Sequence, residues 1–88
     1  MDKEEQLKKS QKYTAAIYRR IEELAQKHGV IIGKWAMKAD LTPSSVYYLK
    51  NTTSIPNLLT IKLLCEAINI TEKEFFDAPY FDGISFLD

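Results

Sequence analysis

The stretch Leu41-Thr42-Pro43-Ser44-Ser45-Val46-Tyr47-Tyr48-Leu49-Lys50 decides how this chain is read. Thr42 suits a helix N-cap, and Pro43 follows at the first helical position, where its missing N–H is no loss. A helix is therefore expected from Pro43 to about Lys50. Val46 and Leu49 share one side and should be buried, which leaves Ser44, Tyr47 and Tyr48 outside. Just upstream, Ile32 to Ala39 places Ile32, Trp35, Ala36 and Ala39 on one face of a second short helix. That helix starts without a Ser, Thr, Asp or Asn cap and is weakened by Gly33. Asp40-Leu41 makes the turn between the two.

The same reading extends in both directions. Tyr13, Ile17, Ile21, Leu24 and His28 form one apolar stripe of a first helix, closed by Gly29 in a left-handed C-cap. Residues 1–12 are polar except for Leu7. Asp2 and Glu5 suit a helix cap there, but little of the segment can be buried, so it is expected to fray. Downstream, residues 51–56 form a loop. Asn57 caps a fourth helix with the stripe Leu58, Ile61, Leu64, Cys65 and Ile68, and Asn69 suits its C-cap. Thr71 and Glu74 make a capping box for a short fifth helix ending at Phe75-Phe76, and Pro79 stops it. No convincing strand pattern appears. The chain divides into a polar extension (1–12), a helical domain (13–78) and an apolar tail (79–88).

Composition bounds the function. With 88 residues the chain is one domain, with room for a small core but not for a scaffold plus a deep catalytic cleft. Twelve Lys and Arg balance twelve Asp and Glu. The sum hides an asymmetry: residues 1–60 carry ten basic against six acidic side chains, and residues 61–88 carry two against six. A polyanion would meet the first part more readily. The single Cys65 excludes an intramolecular disulfide and a multi-Cys zinc site, and fits a reducing compartment. No apolar run is long enough to span a membrane, and the N-terminus has no signal-peptide pattern, so a cytoplasmic protein is expected. Enzyme chemistry finds no support: Ser44-Ser45 has no neighbouring base, and no Gly-rich phosphate loop, paired-carboxylate motif or His-Glu-x-x-His motif occurs. Neither a cofactor, a metal set nor a small-molecule ligand is evident.

Two short helices around a three-residue turn, the second opened by Thr-Pro, have the layout of a helix-turn-helix. From Tyr18 to Phe76 the chain resembles the phage-repressor-type helix-turn-helix family, the relatives of lambda repressor and Cro often called the XRE family. The resemblance is carried by Ile21 and Leu24, Trp35-Ala36, and Leu41-Thr42-Pro43-Ser44-Ser45-Val46. It continues through Ile55-Pro56, Leu58, Thr60-Ile61, Leu64-Cys65, Ala67-Ile68, Ile70-Thr71 and Phe75-Phe76. It implies an all-α, five-helix, lambda-repressor-like domain that binds double-stranded DNA as a bacterial or phage transcriptional regulator, a repressor in type by family habit. Pro43, Ser44, Tyr47 and Tyr48 would then contact bases. Lys34, Lys38, Thr42, Lys50, Asn51 and Thr53 would contact the backbone, with Thr52 and Ser54 as further neutral donors. The chain departs from the family at Ile32, where a polar residue such as Gln is usual, and at Asp40, where Gly is usual. No Arg, Gln or Asn projects from the middle of the third helix, so bidentate base reading is absent there.

Each of these residues also has a plainer reading. The tyrosines can pack on a neighbouring helix or a partner copy, and each lysine can simply be solvated. Trp35 and Cys65 read as core rather than as cofactor or redox groups, and His28 as a helix-end residue rather than a metal ligand. In the tail, Tyr80, Phe81, Ile84, Phe86 and Leu87 either fold back on the first and fifth helices or form a homodimer interface, the latter being favoured by composition. The alternative function is a helix-turn-helix used for protein contact, such as an antitoxin. Ile32, Asp40 and the zero net charge point that way.

Overall fold

A helix of 26 residues, α1 (Lys3–His28), sets the long dimension of the molecule. At 1.5 Å per residue it is about 39 Å long, against a greatest extent of 38 Å for the whole fold. The computed structural model describes residues 1–87 and is all-α, with no strand among them. After α1 come α2 (Ile32–Lys38), α3 (Pro43–Tyr47), α4 (Leu58–Ala67) and α5 (Glu72–Phe76). Short 3-10 turns at Tyr48–Asn51 and Pro79–Phe81 complete the chain. No described helix is long and apolar enough to cross a membrane.

Helices of five to ten residues are marginal by themselves, so α2 to α5 depend on caps and packing. The expected hydroxyl and amide caps form. Ser45 N–H donates to Thr42 Oγ1 (3.2 Å), Thr60 N–H to Asn57 Oδ1 (2.9 Å) and Glu74 N–H to Thr71 Oγ1 (3.1 Å). Only α2 starts uncapped, from Ile31. The exits of α1, α2 and α4 share one geometry. Gly29, Asp40 and Asn69 are left-handed, with φ of 65°, 60° and 58°. The next residue's N–H then reaches back to a helix carbonyl: Val30 to Ala25, Leu41 to Ala36 and Ile70 to Cys65. Val30, Leu41 and Ile70 each pack on the core.

That core lies where α1, α2, α4 and α5 converge, around Ile17, Ile21, Leu24, Trp35, Leu64, Cys65 and Phe75. Trp35 is 2% exposed, and its indole N–H donates to the Leu64 carbonyl at 2.9 Å. Arg20 is also buried. Its Nε donates to the Phe75 carbonyl (2.8 Å), its Nη2 to the Glu74 carbonyl (2.7 Å) and its Nη1 to Glu23. These bonds satisfy the C-terminal carbonyls of α5, the role a charged donor fills best at a helix end.

Three expectations change. Residues 3–12 continue α1 instead of fraying: Asp2 accepts from Glu5 N–H (2.8 Å), and the tail reaches the helix at Lys9 and Tyr13, although residues 3–8 are exposed. Tyr13 makes edge-to-face contacts with Phe81 and Phe86, and Lys9 Nζ reaches the Phe86 carbonyl at 3.4 Å. The tail thus takes the fold-back arrangement. Tyr80 is clamped between the Arg19 guanidinium, 4.5 Å from its ring centre, and Glu23, which accepts its hydroxyl proton at 2.6 Å. These bonds from Tyr80 and Arg20 lower the Glu23 pKa. Leu58, placed on the buried stripe by its spacing, is 85% exposed. The buried residues of α4 begin at Ile61, and Leu58 and Leu59 in its first turn face solvent.

Replacing Arg20 by Met should lower stability by about 1–3 kcal/mol in urea denaturation, since the buried Phe75 carbonyl loses its donor while Glu74 keeps the Asp77 N–H; a change near zero would contradict the capping role. Burial, reinforced by the charge of Glu72, pushes the Cys65 thiol up to about 11 from an ordinary value of 9.0. Below about pH 9 the thiol is protonated in both states and its contribution is constant. Between there and about 11 only the unfolded thiol ionises, so stability should fall as pH rises. The decline should be shallower in Cys65→Ala, and parallel declines would show that Cys65 is not its source.

Candidate nucleic-acid interface

The surface around α3 is built by the turn before it and the backbone behind it. The left-handed Asp40 turns the chain, Leu41 drops toward the core, and the Thr42 cap starts α3 at Pro43. Val46 and Leu49 are buried, anchoring one side. Ser44, Tyr47 and Tyr48 are exposed on the other, and Pro43 is half-buried. The expected helix to Lys50 tightens after Tyr47 into a 3-10 turn ending at Asn51. Such tightening is common in a final helical turn.

Beyond that turn, α1 fixes the exit. The buried Thr14 hydroxyl donates to the Thr52 carbonyl, and Gln11 Nε2 donates to Asn51 Oδ1 at 2.7 Å. Thr52 is itself buried, and its hydroxyl accepts from Ser54 N–H at 3.0 Å. It is therefore a structural residue and not the exposed phosphate donor its sequence neighbours suggested. Lys50, Asn51, Thr53 and Ser54 are exposed at this end, and Thr42 at the other. The structure thus brings together Thr42, Ser44, Tyr47, Tyr48, Lys50, Asn51 and Thr53 on or beside one short helical segment.

Lys34 and Lys38 are not part of that group. The face of α2 that meets α3 is marked by Gly33, where an added Cβ would lie 3.6 Å from Tyr47 Oη and 3.7 Å from Pro43 Cβ. At about 100° per residue, Lys34 and Lys38 are rotated roughly 100° and 140° from Gly33. Both instead line a groove with Ile31, Trp35 and Ile68. Arg19 and Arg20 are engaged with Tyr80 and α5. The positive surplus of the first 60 residues is therefore dispersed, and Lys50 is the cation on the α3 segment itself.

Sequence reasoning missed three features here. Met37 is 58% exposed, and at about 100° per residue it lies roughly 40° from Gly33, which puts an apolar residue toward the α3 side of α2. Gln11 lay in a segment expected to fray, so its bond to Asn51 had no sequence signal. Gly33 looked only like a helix weakness but marks the face of α2 that lies against Tyr47 and Pro43. Behind Tyr47, the Tyr18 phenol has its pKa raised, first by burial and then by Glu22 and Tyr47. No group of His, Cys, Asp and Glu that could hold a metal occurs among the described residues.

No protein-family model, curated protein or solved structure matches the chain.

Gly33 gives a direct test of the α2–α3 contact. An added methyl would meet only ordinary van der Waals neighbours, so Gly33→Ala should raise stability by about 0.5–1 kcal/mol through helix propensity. Gly33→Leu should lower it by displacing Tyr47. Thermal or urea unfolding reads both, and a destabilised Ala variant would mean the helices sit closer than described.

Proposed function

We propose that the chain is a sequence-specific DNA-binding transcriptional regulator of the phage-repressor helix-turn-helix type, with α2 and α3 as the helix-turn-helix. The observation carrying this reading is the two-sided character of α3: Val46 and Leu49 hold it to the core while Ser44, Tyr47 and Tyr48 face solvent together. In the major groove, tyrosine hydroxyls can donate to base acceptors and the rings can contact thymine methyl groups. Thr42, Lys50, Asn51 and Thr53, at the two ends of the segment, would hold phosphates and fix its register. Two copies on half-sites about one turn (~34 Å) apart would read a pseudo-palindromic operator. With few cations around α3, sequence-independent attraction is weak, and specificity depends on fit more than on charge.

One observation favours a second reading. Met37, Tyr47 and Tyr48 are 58%, 45% and 59% exposed around a segment with one lysine, a surface that also suits contact with another protein. In that reading the same fold serves as an interaction module, as in an antitoxin.

Binding to the chain's own upstream region, with an unrelated duplex as control, separates the two. With Lys50 the one cation on the segment, ~1 phosphate is neutralised per copy, so affinity should fall only roughly 3- to 4-fold per copy between about 50 and 200 mM salt. Replacing Tyr47 and Tyr48 by Ala should reduce upstream binding to the control level while leaving the helical spectrum intact. Specific binding that survives both substitutions would remove α3 from the reading role. Equal binding of the unaltered chain to both duplexes would favour the protein-contact reading.

A further inference from the structure

Lys34 and Lys38 are left unused by the α3 surface, and neither has an ion-pair partner among the described residues. They stand one turn apart along the rim of an open groove of about 330 Å³. Its floor is apolar: Val30 and Ile31 from the α1–α2 turn, Trp35 from α2 and Ile68 from the end of α4. Ile31 is 62% exposed, an uncovered branched side chain beside two unpaired ammonium groups. On its other flank Lys38 borders a second hollow with Asp40, Leu63 and Glu66, again without an ion pair.

We infer that this groove binds a small anionic amphiphile: a carboxylate on a medium-length apolar body. The apolar body would cover Ile31 and Ile68 and lie against the edge of Trp35. The carboxylate would sit between the Lys34 and Lys38 ammonium groups, which remain partly hydrated at the rim. Charge decides the sign of the ligand, since the groove is lined by two cations and no carboxylate. Size decides its class. The volume is at the lower end of the ~300–1,000 Å³ typical of ligand pockets, enough for a short acyl or arylalkyl acid and not for a folded peptide segment. No motif marks the site because its walls come from three separate parts of the chain. The inference is independent of the DNA-binding reading, since the groove and α3 lie on different sides of α2.

Trp35 is the single tryptophan, so its emission reports occupancy directly. The full chain would be titrated with sodium decanoate below its micelle concentration. Sodium acetate provides a charge without an apolar body, and 1-decanol the reverse. Decanoate should give a saturable change in Trp35 emission, acetate none, and decanol a response at least about fivefold weaker. Lys34→Ala combined with Lys38→Ala should weaken decanoate about five- to tenfold, as expected for two exposed charges, with unchanged thermal stability. Methyl NMR should place the shifts at Val30, Ile31 and Ile68. A non-saturable response, equal affinity of the double variant, or shifts centred elsewhere would each overturn the assignment.

Discussion

The left-handed conformation of Asp40 is the constraint on which the α2–α3 arrangement depends. Its φ of 60° lets Leu41 N–H return to the Ala36 carbonyl and sends the Leu41 side chain toward the core. Only then can Thr42 cap a new helix in a changed direction, with Gly33 against Tyr47 and Pro43. An L-residue in this conformation carries a cost, smallest for Asn and Asp among residues with a side chain. Gly29 and Asn69 make the same kind of exit from α1 and α4. In each case a left-handed residue is followed by an apolar one that packs inward. The repeated pair lets helices too short to persist alone meet at fixed angles around Trp35.

Much of this fold is legible because it is written in local chemistry. Thr42-Pro43, Asn57, and Thr71 with Glu74 mark helix starts through side-chain hydrogen bonds spanning three residues. Gly29 and Asn69 mark ends through backbone tolerance. The buried positions of Trp35, Val46, Leu49, Leu64 and Cys65 follow from helical spacing. Features that were not legible depend on segments far apart in sequence. Residues 3–12 are helical partly because Phe86 and its neighbours reach Lys9 and Tyr13 at their C-terminal end. Leu58 has the right spacing for the core but no neighbour to bury it. Arg20 looked like one cation among many until α5 placed two carbonyls against it.

The candidate site divides in the same way. Ser44, Tyr47 and Tyr48 could be placed outside from the period of one helix alone. Lys34 and Lys38 could not, since their surroundings depend on which side of α2 faces α3 and which faces α4. Gly33 settles that question by its place against Tyr47 and Pro43. The lysines consequently belong to a groove on another flank, and counting charge along the sequence overstates what a polyanion would meet at α3.

Two opposite flanks of one seven-residue helix therefore carry different chemistry, and they are mechanically close. Trp35 is tied to α4 by its bond to Leu64, while Gly33, two residues earlier, lies against Tyr47 and Pro43 of α3. A rigid-body shift of α2 that changes the groove must also change the Gly33–Tyr47 contact, because so short a helix has no internal hinge to absorb it. The Asp40 turn opposes such a shift on one side and the Gly29–Val30 turn on the other. Binding in the groove would then act on α3 chiefly by favouring one seating of α2 over another, to the extent of the ligand's differential affinity for the two. The uncapped start of α2 at Ile31 is where this helix has least local support, and Ile31 is also part of the groove floor. The uncapped end of α2 and the proposed ligand site coincide, so a ligand there would cover the residue at which α2 begins.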